Sequence, residues 1–178
     1  MTNPVLQAIA ERRSNRAYKK DQITAEQVET LMNAAVQAPS ARNAQPWHFT
    51  VVQDKSILSE INNEVSNNLN EDVGDIFYGA PTVIFISANT EGPTARWARL
   101  DCGIVAQTIA LAAYSLDLGS VILGMPEPAL AGARAKYFSR LLKFPEAYEF
   151  VIAVAIGNAL DNKAAHPVRP DKIRYISG

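Results

Sequence analysis

An α+β fold is predicted from three features of the chain. Helical stretches outnumber strands; the strand-like runs are unevenly spaced rather than alternating with helices; and no repeat, low-complexity run or linker divides the 178 residues. A single domain over residues 1–178 is expected. The first helix starts at Pro4, where a first helical turn tolerates proline, and Val5, Leu6, Ile9 and Ala10 form its stripe, ending at arginines. The second starts at Thr24, with Gln27 spaced for a capping box and Val28, Leu31, Met32 and Ala35 on one face. A strand follows over about 48–53, carried by Phe49, Val51 and Val52. Residues 55–69 read as a polar, Asn-rich helix with a narrow apolar face. Residues 82–88, TVIFISA, are apolar and β-branched enough for a central buried strand.

A long helix is expected over about 94–117. Its first turns carry Arg96, Trp97, Arg99 and Asp101, whereas 102–116 is almost wholly Ala, Ile, Val, Leu and other small residues. So little polar surface requires the helix either to cross the middle of the domain or to pack on a partner subunit. Gly119 is expected to close it, GSVILGM to form a short strand, Pro126 and Pro128 to start another helix, and EFVIAVAIG (149–157) to form the last strand.

Composition narrows the possible functions. Hydrophobic residues make up 48% of the chain, enough for a full core without disulfides or a structural metal. Seventeen basic and eighteen acidic residues give a net charge of −1, which leaves no electrostatic footprint for nucleic acid or an anionic membrane surface. A lone cysteine, Cys102, fits a reducing compartment and sits in an apolar stretch, as a packing residue would. The short apolar opening ends in charges, so neither a signal peptide nor a spanning helix is expected, and a cytoplasmic protein is the default. Nine scattered glycines supply neither a P-loop nor a dinucleotide fingerprint. Cys102, His48 and His166 are too dispersed for a zinc site, and His48 at a strand head reads as a hydrogen bonder. Trp47 reads as core.

Two polar cassettes carry the chemistry. ERRSNR (11–16) places Arg12, Arg13, Ser14 and Arg16 at the end of the first helix, three guanidinium groups and a hydroxyl suited to a phosphate dianion. APSARNAQPW (38–47) is a loop fixed at both ends by Pro39 and Pro46. Its Ser40, Asn43 and Gln45 offer donors and acceptors together, as the edge of a heterocycle such as a flavin pyrimidine ring requires. A solvated basic turn and a loop that simply caps a helix are the structural alternatives.

With their order and spacing, RRSNR, PSARNAQPW, LDCGIVAQTIALAAYSLDLGSVILGM and the AIGN strand end with its basic tail resemble the nitroreductase family of FMN-dependent oxidoreductases, over nearly the whole chain. The resemblance implies a central, mostly antiparallel sheet flanked by helices, with the long apolar helix at a homodimer interface. It implies bound FMN, NADH or NADPH as co-substrate, and electron transfer by a ping-pong course to a small, electron-poor acceptor such as a nitroaromatic or quinone. By the same resemblance Arg12, Ser14 and Arg16 form the phosphate and ribityl clamp with Arg13 alongside; Asn43 and Gln45 lie near the flavin's polar rim; and Pro39, Ser40 and Ala41 cover the cofactor held mainly by the other subunit. A backbone amide at Leu123–Gly124 faces the reactive flavin nitrogen, and Arg169 serves the phosphate from the tail.

The chain departs from the family pattern twice. HPVRP offers one arginine, with His166 or Lys163, in place of a spaced basic pair, and no lysine lies between Lys55 and Lys136 to place charge at the pyrimidine edge. No side-chain nucleophile or metal is expected, so the flavin carries the chemistry. The alternatives are a specialised flavoenzyme of the same fold, such as a reductive dehalogenase or a flavin-consuming enzyme, and a non-catalytic dimeric module.

Overall fold

A computed structural model describes residues 3–167 and 169–177. The elements run α1 (Pro4–Glu11), α2 (Ala25–Ala35), β1 (Trp47–Val52), α3 (Lys55–Leu69), β2 (Thr82–Asn89), α4 (Ala95–Ser115), β3 (Gly119–Leu123), α5 (Glu127–Leu130), α6 (Ala135–Leu141) and β4 (Tyr148–Gly157). Single 3₁₀ turns lie at Ala41–Asn43 and Pro170–Lys172. The strands form one sheet in the order β1-β2-β4-β3, every pairing antiparallel. A bulge between Ile86 and Ser87 interrupts the β2–β4 register.

Helices cover both faces of this sheet, so β2, paired on both edges, is buried from Thr82 to Ala88. On one face Phe85 and Ala153 pack with Leu58, Ile61 and Val65 of α3 and Phe138 of α6. On the other, Ile84, Ile86, Val154 and Ile156 pack with Leu31 and Ala35 of α2 and Val105 and Ile109 of α4. The Thr24 capping box closes as its spacing requires: the Thr24 hydroxyl accepts from the Gln27 amide at 3.1 Å and the Gln27 side chain accepts from the Thr24 amide at 2.9 Å. Trp47 is half-buried and packs against the α4 face.

Two helical details differ from the sequence expectation. α4 is closed by Asp117, which takes the left-handed φ of +58° while the Leu118 amide reaches back to Ala113 O at 2.9 Å. An aspartate tolerates that conformation, so glycine is not required there. Gly119 instead opens β3, where a Cβ would lie 2.6 Å from the Ala159 Cβ and 2.9 Å from the Asn15 Oδ1. Gly119→Ala is therefore expected to destabilise the fold by about 1–3 kcal/mol, read as a lower urea midpoint, because β3 must move off the segment around Asn15. α6 had no sequence forecast; it is short, and Phe138, fully buried, anchors it to the sheet.

α1 buries none of its residues and turns Val5, Leu6 and Ile9 outward. It is held by the Asn3 side chain, which accepts from the Val5 and Leu6 amides, and by the Tyr114 hydroxyl of α4, which donates to Glu11. That bond keeps the Glu11 carboxyl below its usual range. α4 divides its surface: Cys102, Val105 and Ile109 face the sheet, while Trp97, Leu100 and Ile104, at helical spacing, are exposed. Both helices thus turn large apolar side chains outward.

Candidate functional site

The segment from Arg12 to Tyr18 leaves α1 and runs along the free edge of β3. Ser14 forms a parallel bridge with Ser120; the Asn15 amide donates to Ser120 O at 3.0 Å, and the Ser120 amide donates to Asn15 Oδ1 at 3.3 Å. From the other side, Asp161 receives the Asn15 side-chain amide at 3.1 Å and the Arg16 backbone amide at 3.0 Å. Burial pushes the Asp161 carboxyl upward, but those two donors and Lys163 more than offset it, and the group lies below its ordinary value. The Tyr18 hydroxyl closes the segment by donating to Asn15 O at 2.9 Å. A strand edge and an ionised carboxylate thereby hold the Arg12–Arg16 backbone in one conformation.

The three arginines are put to different uses. Arg12 caps α1, and its Nε is buried without a hydrogen-bond partner. An unpaired buried guanidinium donor costs about 1–3 kcal/mol or more. Arg16 is exposed, its guanidinium carbon 5.8 Å from the centroid of the Tyr78 ring, beside the segment that leads into β2. Arg13, expected alongside in the clamp, spends its guanidinium on main-chain carbonyls: Nε donates to Lys163 O and Ala164 O at 3.1 Å, and Nη1 to Ala10 O at 2.7 Å and Arg12 O at 2.6 Å. Arg13 therefore staples the tail to the N-terminal segment.

Leu123 ends β3 and Gly124 follows it, three and four residues beyond the Ser14–Ser120 bridge. The Leu123 side chain is buried in the core, and its backbone pairs with Ala153 of β4. Gly124 is exposed, has no left-handed φ, and a Cβ there would meet nothing within 4 Å. The chain's own packing does not demand a glycine; open space in front of the backbone is what a flat ligand lying close would use.

The second cassette is a tight loop resting on α4. The Ser40 hydroxyl accepts from the Gln45 amide at 2.9 Å, and Gln45 Nε2 donates to Asn43 Oδ1 at 3.2 Å. Arg42, Asn43 and Gln45 all adopt left-handed φ, +54°, +54° and +45°, at about 1–2 kcal/mol each, so other contacts must enforce the loop. One is Asp101 of α4: at 3% exposure, its Oδ1 accepts from the Ala41 amide at 3.1 Å. Pro39 is exposed and Pro46 buried, so only one of the two bounding prolines is anchored in the core.

Arg169 is exposed and pairs bidentately with Asp171, at 3.0 and 3.1 Å. Among the described residues no hydrogen bond or ion pair joins Arg169 or the Pro39–Gln45 loop to the Arg12–Arg16 segment. A cavity of about 500 Å³ lies elsewhere, between α3 and the turn at 74–80, lined in part by Lys20, Lys55, Leu58, Asp75 and Phe77. Asn15, Asp161 and Asp101 are the residues that sequence reasoning missed; of these only Asp101 carried a signal, as a lone carboxylate where α4 turns apolar. Cys102 is fully buried, and burial with Asp101 beside it pushes its thiol up to about 12, which removes it as a nucleophile. Among the described residues no group of three His, Cys, Asp or Glu could hold a metal, and no helix is long and apolar enough to cross a membrane.

The sequence profile of the Nitroreductase family matches residues 9–158. A nitroreductase from Desulfitobacterium hafniense DCB-2, solved with bound FMN, is 38% identical and superposes with a TM-score of 0.91 over 99% of this chain and 100% of that one. A relative from Archaeoglobus fulgidus, whose name pairs NADH dehydrogenase with NAD(P)H nitroreductase, is 34% identical over 176 residues, 94% of this chain and 95% of its own. An FMN reductase of Bacillus subtilis, named for NAD(P)H, is 27% identical over 184 residues, 96% of this chain and 72% of its own.

Proposed function

This chain belongs to the nitroreductase family, and from that premise we propose that it is an FMN-dependent oxidoreductase that draws electrons from NAD(P)H and passes them to an electron-poor acceptor such as a nitroaromatic or a quinone. FMN, when bound, supplies the electron relay between the two substrates. Arg12, Ser14 and Arg16 hold its phosphate and ribityl chain, the backbone at Leu123–Gly124 faces its reactive nitrogen, and Asn43 and Gln45 serve its polar rim. The observation that supports this reading is the Arg12–Arg16 segment itself, held in one conformation by the Ser14–Ser120 bridge and by Asp161, with the Arg16 guanidinium left exposed. Arg13 acts indirectly by holding the tail in place, and Arg169 completes the phosphate shell only by leaving Asp171.

A homodimer completes the site in this reading. The outward stripe of Val5, Leu6 and Ile9 on α1 with Trp97, Leu100 and Ile104 on α4 is the surface a second copy covers. The Pro39–Gln45 loop, which rests on α4, then reaches the flavin of the other subunit. Nicotinamide and acceptor use one open face in turn, so ping-pong kinetics are expected.

Purified protein incubated with FMN is expected to be yellow after gel filtration and to oxidise NADH or NADPH faster when a nitroaromatic or quinone is added. Parallel double-reciprocal lines would accompany that activity. Protein that stays colourless after incubation overturns the reading; a yellow protein without NAD(P)H oxidation makes it a binding module.

A further inference from the structure

Asp101 is the buried acidic side chain whose placement packing does not explain. Glu64, the other buried carboxylate among the described residues, is paired with Arg134 at 2.8 Å. Asp101 has no ion pair there; its Oδ1 holds the Ala41 amide and its Oδ2 is buried without a partner. A buried residue serving only to pack would be neutral or would satisfy both oxygens, because a bare carboxylate oxygen out of water is costly.

What this carboxylate fixes is the start of the strained loop. The Ala41 amide opens the 3₁₀ turn; Arg42 and Asn43 follow with left-handed φ; the Ser40 hydroxyl then catches the Gln45 amide. Among the described residues Asp101 makes the one side-chain hydrogen bond between this loop and α4. We propose that Asp101 is a positioning residue of the flavin site: it clamps the Ala41 amide to α4 and so presents Ser40, Asn43 and Gln45 to the cofactor in the conformation that binds it. This inference rests on the flavin reading above.

The test compares FMN dissociation constants, by quenching of flavin fluorescence, for the full chain and its variants. Asp101→Ala is expected to weaken FMN about tenfold, equivalent to about 1.4 kcal/mol. Asp101→Asn keeps an oxygen for the Ala41 amide and is expected to stay within about threefold of the parent, a rescue that loss of folding would not give. Ala41→Pro removes the same hydrogen bond from its other end, at a first-turn position preceded by the extended Ser40 (φ −140°, ψ 156°), where proline is tolerated. It is expected to match the Asp101→Ala loss, and the double variant to bind no more weakly than the worse single one. Parent-like binding by Asp101→Ala, failure of Asp101→Asn to rescue, or additive losses in the double variant each overturn the inference while leaving the flavin reading intact. A parent protein that takes up no FMN overturns both.

Discussion

Replacing Arg12 and Arg16 together by alanine is expected to strip FMN from the purified protein. In the proposed reading each arginine gives charge-assisted hydrogen bonds to a phosphate dianion, worth about 1.5–3 kcal/mol per bond. Losing two such bonds, about 3–6 kcal/mol, weakens binding by about 10²- to 10⁴-fold. The two shares are unequal. Arg12 is half-buried and its backbone is fixed as the cap of α1, so in the proposed reading it is the better ordered of the two. Arg16 is exposed and rests against Tyr78, where solvent screens its charge. Arg12→Ala alone should therefore carry most of the loss. The measurement is the ratio of flavin to protein absorbance after gel filtration, followed by titration of the apoprotein with FMN. Unchanged retention in the double variant would place the phosphate elsewhere, whereas loss from Arg16→Ala alone would reverse the ranking of the two.

Leu100→Glu with Ile104→Glu is expected to yield a monomer that holds no FMN. The two side chains are 59% and 42% exposed and lie on the outward face of α4. In the proposed dimer, covering what remains exposed of each would stabilise the pair by about 1–2 kcal/mol, and a two-fold axis counts every contact twice. Glutamates in that seam would forfeit this gain and oppose like charges across the axis. The sheet-facing residues Cys102, Val105 and Ile109 are untouched, so the fold should survive, visible as an unchanged far-ultraviolet circular dichroism spectrum. Light scattering reads the mass and absorbance reads the flavin. A double variant that remains a yellow dimer, or a parent protein that is a yellow monomer, would remove the interface from α4.

The sheet and its helices were legible because the patterns that specify them are local. Thr24 and Gln27 stand at capping-box spacing, residues 55–69 keep one narrow apolar face, and β2 runs apolar from Val83 to Ile86 because strands on both edges and helices on both faces cover it. Asp117 was not legible as the end of α4: glycine is the commoner left-handed residue, and the nearby Gly119 drew the assignment although its lack of a side chain serves the contact with Asn15 and Ala159. The candidate site was legible as two cassettes. The assignment of individual side chains within them was not, since RRSNR does not reveal that Arg13 finds carbonyls at Lys163 and Ala164 while Arg12 finds none. Contacts across 150 positions leave no periodic trace, and Asn15 and Asp161 became visible only with the chain folded.

The staple between Arg13 and the carbonyls of Lys163 and Ala164, with Asp161 gripping Asn15 and Arg16, also orders events during biosynthesis. α1 and its arginines are made before residues 161–164, yet they cannot take their final posture until that segment has emerged and β3 has an edge to offer. A nascent chain therefore carries its guanidinium groups loose until that segment exists, and the riboflavin phosphate of the proposed reading is captured after that point rather than before it.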